Sequence, residues 1–185
     1  MSVTMNIAWP IRSFFEQHLV SQRGLSGHTV LAYRDTMKLL LQFAVLRSRK
    51  SCTDLMVSDL SPKLVRQFLD HLERVRNNSV RTRNARLAAI HSFFRYLGTL
   101  DPRLLAQCQH ILSVPFKRQA QPVFEYLERE EVLGILRHIA VGSLLGKRDD
   151  ALLRLLYNTG MRAQELVDLS VNHIRLSRPH YLSIY

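Results

Sequence analysis

Apolar residues recur at helical spacing in the first part of the chain and predict four amphipathic helices packed as a small bundle. Pro10 suits the first turn of the first helix, which is predicted to end at Gly24. Ser26 is the N-cap predicted for the second helix, Ser61-Pro62 is predicted to start the third helix, and the fourth is predicted to begin near Ser79. The predicted inward positions are Ile11, Phe14, Phe15 and Leu19, then Val30, Tyr33, Met37, Leu40, Leu41 and Ala44, then Leu64, Val65, Phe68, Leu69 and Leu72, and last Val80, Leu87, Ile90, Phe94 and Leu97.

The pattern changes after the fourth helix, which is predicted to stop at Gly98. A shorter and less regular helix is predicted over residues 101–112. Pro115 and Pro122 then bracket a polar, basic stretch that is typical of an interdomain linker. We therefore predict a helical domain over residues 1–113, a linker over residues 114–125 and a second domain over residues 126–185.

The second domain is predicted to begin with two helices, because acidic residues stand at the expected first turns and apolar residues follow at helical spacing. The acidic positions are Glu128, Glu130, Glu131, Asp149 and Asp150, and the apolar positions are Leu133, Leu136, Ile139, Leu152, Leu155 and Leu156. Two short strands are predicted over residues 172–176 and 181–185. The fold class is therefore mainly α, with a second part that mixes helix and strand.

One short segment, TGMRAQEL over residues 159–166, joins two predicted helices. The apolar ladder before it predicts a buried helix, and Gly160 supplies the left-handed turn that commonly ends one. Arg162 follows at once, and Glu165 lies one turn further, where the two side chains can pair. Leu166, Val167 and Leu169 are predicted to return to the core. By spacing alone, such a pair is most often an exposed ion pair that contributes little to stability.

The charge favours an anionic partner, because the net charge is +11 and the sequence pI is about 10.4. Residues 1–114 carry +9 of that charge and residues 115–185 carry +2. A solvated basic surface without a partner is the open alternative. Cys52 and Cys108 form no disulfide framework, no apolar run reaches membrane-spanning length, and no signal-peptide pattern opens the chain, so we expect a cytoplasmic protein.

Basic residues concentrate at the start of the fourth helix, where Arg76, Arg81, Arg83 and Arg86 stand close together. Arginine can bridge guanine edges and hold phosphates, so this helix start suits entry into a DNA groove. Arg83 lies on the line of the apolar stripe, so either its side chain snorkels or the helix end projects beyond the core. The further candidate DNA contacts are His28 and Lys38 on the second helix and Lys117 and Arg118 in the linker. An ordinary solvated basic face is the alternative for all of them.

Three segments resemble the tyrosine recombinase (phage integrase) family. The string Thr159, Gly160, Arg162, Glu165 and Leu166 matches the T-G-x-R-x-x-E-L box around the family's first catalytic arginine. Residues 25–43 and 79–98 are similar to the second and fourth helices of its core-binding domain. The resemblance implies a SAM-like DNA-binding bundle of four to five helices, followed by the truncated start of an α+β catalytic domain.

The resemblance also implies a chemistry, which is site-specific DNA recombination and integration. A tyrosine oxygen attacks a DNA phosphodiester and forms a covalent 3′-phosphotyrosine, and a second strand's hydroxyl reverses the step. Two arginines offset the negative charge of the transition state, and a lysine and a histidine assist proton movement. No cofactor or metal is implied. The implied partners are double-stranded DNA and other recombinase protomers, with no membrane.

The 185 residues contain only part of that catalytic set. Arg162 corresponds to the first catalytic arginine, and Glu165 is expected to position it. No H-x-x-R string follows Arg162, and Tyr181 and Tyr185 come too soon to be the nucleophile. His173 and His180 are expected to be structural or surface residues.

We therefore expect a truncated recombinase that binds DNA but does not cleave it alone. Two alternatives from other classes remain open. One is a non-catalytic DNA-binding protein with an accessory or inhibitory role. The other is a helical protein-interaction module whose basic charge is incidental.

Overall fold

The computed structural model describes residues 5–119 and 125–184, which form two compact units, Met1–Gln121 and Pro122–Tyr185. The division lies within the predicted linker. Two positions named in the predictions, Pro122 and Tyr185, lie outside the described residues.

The first unit is the predicted helical bundle. Its helices are α1 (Ala8–Ser13), continued by a π-helical segment (Phe14–Gln22), α2 (Gly27–Ser48), α3 (Pro62–Arg74), α4 (Val80–Leu100) and α5 (Leu105–Leu112). Short 3₁₀ turns lie at Cys52–Asp54, Val57–Asp59 and Pro102–Leu104. A backbone bridge between Asn6 and Met56 ties the start of the unit to the α2–α3 connection.

The predicted N-cap at Ser26 is confirmed, and Ser61 and Ser79 are the N-caps of the two helices that were predicted to begin there. Each serine Oγ accepts a hydrogen bond from the backbone N–H three residues on and so satisfies a donor that the helix itself leaves unpaired. The pairs are Ser26 with Thr29 at 3.4 Å, Ser61 with Leu64 at 3.2 Å and Ser79 with Thr82 at 3.2 Å.

The core of this unit surrounds α4, which packs against α2, α3 and α5. All five inward positions predicted for α3 are buried, as are four of those predicted for α4. Phe93 was not predicted to be inward, yet it is fully buried and packs edge-to-face on Phe14 with 5.4 Å between ring centroids. Because neighbours surround α4, residues on more than one of its faces are buried.

The predicted end of α4 at Gly98 is wrong, because the helix continues to Leu100. Gly98 instead lies where α5 passes close to α4. A Cβ at this position would stand 3.4 Å from Leu105 Cδ2 and 3.8 Å from Cys108 Sγ. The small residue therefore serves the helix–helix contact rather than the helix terminus.

The second unit is a short α+β arrangement. It contains α6 (Arg129–Arg137), α7 (Leu144–Thr159), α8 (Ala163–Val167), a 3₁₀ turn (Val171–His173), β1 (Ile174–Arg175) and β2 (Tyr181–Leu182). The strands pair antiparallel, with Ile174 opposite Leu182 and Arg175 opposite Tyr181. The two predicted strands are thus present, at two residues each.

Burial in the second unit is sparse, and the prediction that α7 is a buried helix is wrong. Leu152, Leu155 and Leu156 are only partly buried. Val167, predicted to return to the core, is 76% exposed. A few short elements cover too little surface to enclose the apolar face of a helix of 16 residues. None of the helices in the described ranges is long and apolar enough to cross a membrane.

Candidate functional site

The turn between α3 and α4 holds Arg76 close to the start of α4. The backbone N–H of Arg76 donates to the carbonyl of His71 at 3.2 Å. The N–H of Asn78 donates to the carbonyl of Leu72 at 3.0 Å, which closes the end of α3. Asn77, between them, has a φ of 51°, a left-handed conformation that asparagine tolerates better than most residues. The chain therefore reverses tightly and brings Arg76 near the basic residues of α4.

Arg76, Arg81 and Arg86 are the arginines at this helix start that have no acidic partner. In the described part of the chain, none of the three forms an ion pair. Arg76 and Arg81 are exposed, whereas Arg86 is partly buried and its Nε has no hydrogen-bond partner. Burial and the charge of Arg76 lower the pKa of Arg86, against the opposite effect of Asp35. The guanidinium groups of Arg76 and Arg86 are thus close enough to repel each other, and a bound anion would reduce that repulsion.

A surface cavity of about 320 Å³ lies beside Arg86, between α2 and α4. Tyr33 and Asp35 line it from α2, and Thr82 and Arg86 line it from α4. The two helices that were expected to contact DNA therefore meet at one surface. The cavity gives that surface polar groups of both donor and acceptor character.

Arg83 is buried, in contrast to its neighbours. Its Nη1 donates to the backbone carbonyl of Pro115 at 3.0 Å and to Asn84 Oδ1 at 3.0 Å. The helix start is therefore covered on this side by the segment after α5 rather than projecting beyond the core. Contact of Arg83 with DNA stays a prediction, while the structure gives its guanidinium an intramolecular role.

The beginning of the predicted linker is held on the helical bundle. Asn84 Nδ2 donates to the carbonyl of Lys117 at 2.8 Å, and the N–H of Lys117 donates to Asn84 Oδ1 at 3.1 Å. Lys117 Nζ pairs with both carboxylate oxygens of Glu73, at 2.7 and 2.9 Å. Sequence reasoning missed Asn84 and Glu73, because they lie 33 and 44 residues from Lys117 and no local pattern signals the contact.

The three other candidate DNA contacts of this unit are exposed. His28 and Lys38 lie on the outer side of α2, as their spacing predicts, and Arg118 follows Lys117. Within residues 5–119 and 125–184, no ion pair involves any of the three. Their polar groups are therefore directed to solvent.

The arginine box of the second unit follows the end of α7. Gly160 caps that helix with a φ of 66°, the left-handed conformation that was predicted for it. Thr159 Oγ1 donates to the carbonyl of Leu155 at 2.6 Å, and Met161 is buried. Arg162 then becomes the N-cap of α8. A fixed turn and a buried anchor therefore hold the residue that carries the guanidinium.

Arg162 and Glu165 pair as their spacing predicts. Arg162 Nη1 donates to Glu165 Oε1 at 2.7 Å, and its backbone N–H donates to Oε2 at 2.7 Å. The backbone bond, then the side-chain bond and the charge of Arg162, lower the pKa of Glu165. The Arg162 side chain is nevertheless 85% exposed. Most of its donors therefore remain available to a ligand.

The other candidate residues are less suited to a catalytic role. Tyr181 lies in β2, where the Arg175 guanidinium stands 5.5 Å from its ring centroid. The Nδ1 of His173 lies 3.2 Å from the N–H of Ser170, and His180 is exposed. Burial raises the pKa of the Cys108 thiol to about 11. In the described ranges, no three His, Cys, Asp or Glu side chains are grouped to hold a metal ion.

Together these features define a class of protein: a basic helical bundle followed by an α+β unit that presents an exposed arginine at a helix start. Comparison with known families agrees with that class. Residues 13–99 match the family model described as "Phage integrase, N-terminal SAM-like domain". The matched stretch runs from the end of α1 almost to the end of α4 and includes Arg76, Arg81, Arg83 and Arg86.

Curated relatives extend the similarity over most of the chain. A putative integrase/recombinase of Sinorhizobium fredii, y4rD, is 36% identical over 180 residues, which cover 97% of this chain and 64% of the relative. A second one from the same organism, y4rC, is 40% identical over 169 residues, covering 91% and 51%. The tyrosine recombinase XerC of Pelobacter propionicus is 30% identical over 164 residues, covering 88% and 51%.

Residues 13–99 therefore form a phage integrase SAM-like domain, and most of the chain is similar to integrases and tyrosine recombinases. It spans between about half and two thirds of the length of these relatives.

Proposed function

We propose that this protein acts in site-specific DNA recombination, with the helical unit binding double-stranded DNA and Arg162 binding the reacting phosphate. The names of the relatives, integrase/recombinase and tyrosine recombinase, support the reaction class. The proposal also places the protein in the compartment that holds the DNA, and it includes other recombinase protomers as partners.

The observation that carries DNA binding is the state of Arg86. A partly buried guanidinium with an unpaired Nε, close to a second arginine, is electrostatically incomplete. The Nε itself is buried, so a phosphate or a guanine edge would be met by the Nη donors of this guanidinium, which can bind either in bidentate fashion. Arg76 and Arg81 add donors on the same helix start.

The remaining contacts are proposed in two groups. His28, Lys38 and Arg118 are exposed and reach DNA without giving up a partner. Arg83 and Lys117 would first have to exchange the carbonyl of Pro115 and the carboxylate of Glu73 for a phosphate. We expect these two to act mainly by holding the segment after α5.

Replacing Arg86 should test the interface directly. We expect Arg86→Ala to weaken binding to duplex DNA by about 1–3 kcal/mol, because it removes the incomplete guanidinium. Fluorescence anisotropy with a labelled duplex measures the change. Lys63→Ala is the matched control, since it removes an exposed cation from the start of α3 and should leave the affinity almost unchanged.

Salt dependence separates this proposal from a protein-interaction module. Several phosphate contacts predict a loss of affinity of about 10³-fold between low and moderate salt. Weak binding that does not change with salt, or equal effects of Arg86→Ala and Lys63→Ala, would contradict DNA binding through α4.

Strand cleavage is proposed to need more than these residues. Arg162 can neutralise charge on a phosphate, with Glu165 holding its backbone and side chain in place. The H-x-x-R string and the later tyrosine that the family's reaction uses do not follow Arg162 in this sequence.

We therefore expect this 185-residue polypeptide to form no covalent adduct with a nicked suicide substrate. Denaturing gel electrophoresis of a labelled DNA strand measures adduct formation. A tyrosine-linked adduct would show that a residue of this chain, such as Tyr181, is a nucleophile after all.

A further inference from the structure

A second basic cavity lies in the first unit, away from the start of α4. It measures about 260 Å³ and is formed by the end of the π-helical segment and the carboxyl-terminal half of α4. The side chains that line it are His18, Arg23, Ser92, Arg95, Tyr96 and Thr99. In the described part of its wall there is no acidic side chain.

The two arginines of this cavity have no counter-charge. Arg23 and Arg95 are both exposed, and among the described residues neither side chain forms an ion pair. Two cations therefore share one concave surface without a carboxylate to balance them. Such an arrangement attracts an anion, and low-dielectric walls strengthen the attraction.

A buried hydroxyl in the same wall also lacks a partner. Ser92 is 6% exposed, and its Oγ makes no hydrogen bond in the structure. Buried hydroxyls are nearly always paired, so an unpaired one beside a cavity indicates a ligand or ordered water. An anion in the cavity would accept the hydrogen of this hydroxyl.

The π-helical segment explains why Arg23 faces the cavity. The backbone N–H of Arg23 donates to the carbonyl of His18, five residues earlier, at 3.0 Å. In an α-helix, residues five apart lie about 140° apart around the axis and so face different sides. The wider turn brings both side chains to one face. π-Helical turns occur frequently at functional sites.

The walls of the cavity are held by contacts of their own. Tyr96 stacks on His18 with 4.8 Å between ring centroids, and its hydroxyl lies 2.7 Å from Ser13 Oγ. Thr99 Oγ1 donates to the carbonyl of Tyr96 at 2.7 Å, so its remaining capacity is as an acceptor. The donors that face an anion are therefore the guanidinium groups and the Ser92 hydroxyl.

We propose that this cavity binds a tetrahedral oxyanion of the phosphate type, held by Arg23 and Arg95 with the hydroxyl of Ser92. Arg95 lies 14 residues after Arg81 on the same face of α4, which corresponds to about 21 Å along the helix. A DNA backbone that follows this face reaches the cavity, and a free phosphate-bearing molecule can also enter it. The site itself does not depend on the DNA interface at the start of α4.

The first test uses the full chain and inorganic phosphate. Its thermal unfolding is measured in sodium phosphate and in sodium chloride at equal ionic strength. Phosphate stabilises most proteins without binding at a specific site. Variants must therefore separate the stabilisation that comes from binding in the cavity from this general effect. Arg95→Ala and Arg23→Ala should lose that part, while Arg66→Ala, which removes an exposed arginine of α3, should keep it.

Two further variants sharpen the result. Ser92→Ala should weaken phosphate binding without lowering the melting temperature in chloride, because it removes an unpaired buried hydroxyl. Arg95→Gln keeps a polar side chain and should lose the response in the same way as Arg95→Ala. An equal phosphate response in the Arg66 and Arg95 variants would overturn the proposal.

The second test identifies the source of the phosphate. Duplex affinity is measured against salt concentration for the wild-type chain, Arg95→Ala and Arg66→Ala. A salt slope that falls by about one in Arg95→Ala alone indicates a DNA phosphate. An unchanged slope, together with a lost response to inorganic phosphate, indicates a free phosphate-type ligand. Failure of Arg86→Ala to affect DNA binding would leave the phosphate response of Arg95 untouched, so the two proposals fail separately.

Discussion

At the scale of single residues, the arginines of this protein differ in what already holds them. Arg83 donates to a backbone carbonyl, although its buried Nε is unpaired, and Arg162 donates to Glu165. In the described part of the chain, the Arg86 guanidinium donates no hydrogen bond. A guanidinium has five donors, so a residue with no partner gains most from an incoming anion. The guanidinium that is most incomplete is therefore the one expected to contribute most to binding.

Arg162→Ala should leave the melting temperature of the chain almost unchanged, because an exposed ion pair adds little stability. It should also raise the pKa of Glu165 part of the way to its ordinary value, since the backbone N–H of residue 162 still donates to the carboxylate. NMR titration of the Glu165 side chain measures this pKa in the wild-type chain and in the Arg162→Ala variant. The pKa of Glu165 is lower in the folded state than in the unfolded state. The ion pair therefore stabilises α8 fully at pH values above the unfolded-state pKa. This stabilisation is lost as the pH falls through the folded-state pKa, where the carboxylate is protonated.

A large loss of folding in Arg162→Ala would contradict this, and would make Arg162 a structural residue rather than a ligand-binding one. Gln164→Ala is a suitable control, because Gln164 lies on the same short helix and makes only an exposed contact with Asp168.

At the scale of the elements, α4 has several roles at once. Its first turns carry Arg81 and Arg86, its middle fills the core with Phe93 and Phe94, and its end meets α5 at Gly98. The same helix also holds the segment after α5 through Asn84. Because the core fixes its position, the basic face and both cavities are presented on a rigid support.

The contact at Gly98 predicts opposite effects for two substitutions. Gly98→Ala should stabilise the chain by about 0.5–1 kcal/mol, because alanine is the better helix former and its Cβ meets Leu105 at an ordinary contact distance of 3.4 Å. Gly98→Leu should destabilise it by about 1–3 kcal/mol through overpacking against α5. Urea unfolding measures both. Equal effects of the two variants would show that α5 moves away freely.

At the scale of the whole molecule, the two units differ in how well they are packed. The first unit buries a continuous core that runs from Ile7 to Val114. In the described part of the second unit only Leu136 and Met161 are buried, while Leu144, Val171 and Leu176 are more than four-fifths exposed. Large exposed apolar surfaces promote association, so we expect another polypeptide surface to pack against the apolar side chains of this unit.

Hydrogen exchange should show this difference. We expect backbone amides of α3 and α4 to exchange far more slowly than those of α6 and α7, because few buried contacts resist opening in the second unit. Mass spectrometry of peptides from each unit measures the rates. Similar protection in α4 and α7 would show that the apolar surface of the second unit is covered in solution, and a concentration-dependent rate would identify self-association as the cover.

The sequence by itself determined the local elements. Serine caps, proline and glycine positions and apolar spacing act over three or four residues, so the four helices, the Gly160 turn and the pairing of Arg162 with Glu165 could all be predicted. It also located the basic helix start, because charge can be counted without coordinates.

Only the tertiary structure decided which of these charges remain free. Arg83 and Lys117 are engaged by groups more than thirty residues away, and the unpaired Nε of Arg86 follows from how α2 and α4 pack. The predicted end at Gly98 failed for the same reason, since a glycine that ends a helix and one that admits a neighbouring helix look alike in sequence. Burial depends on what covers a surface, and that is a property of the assembled elements rather than of any one of them.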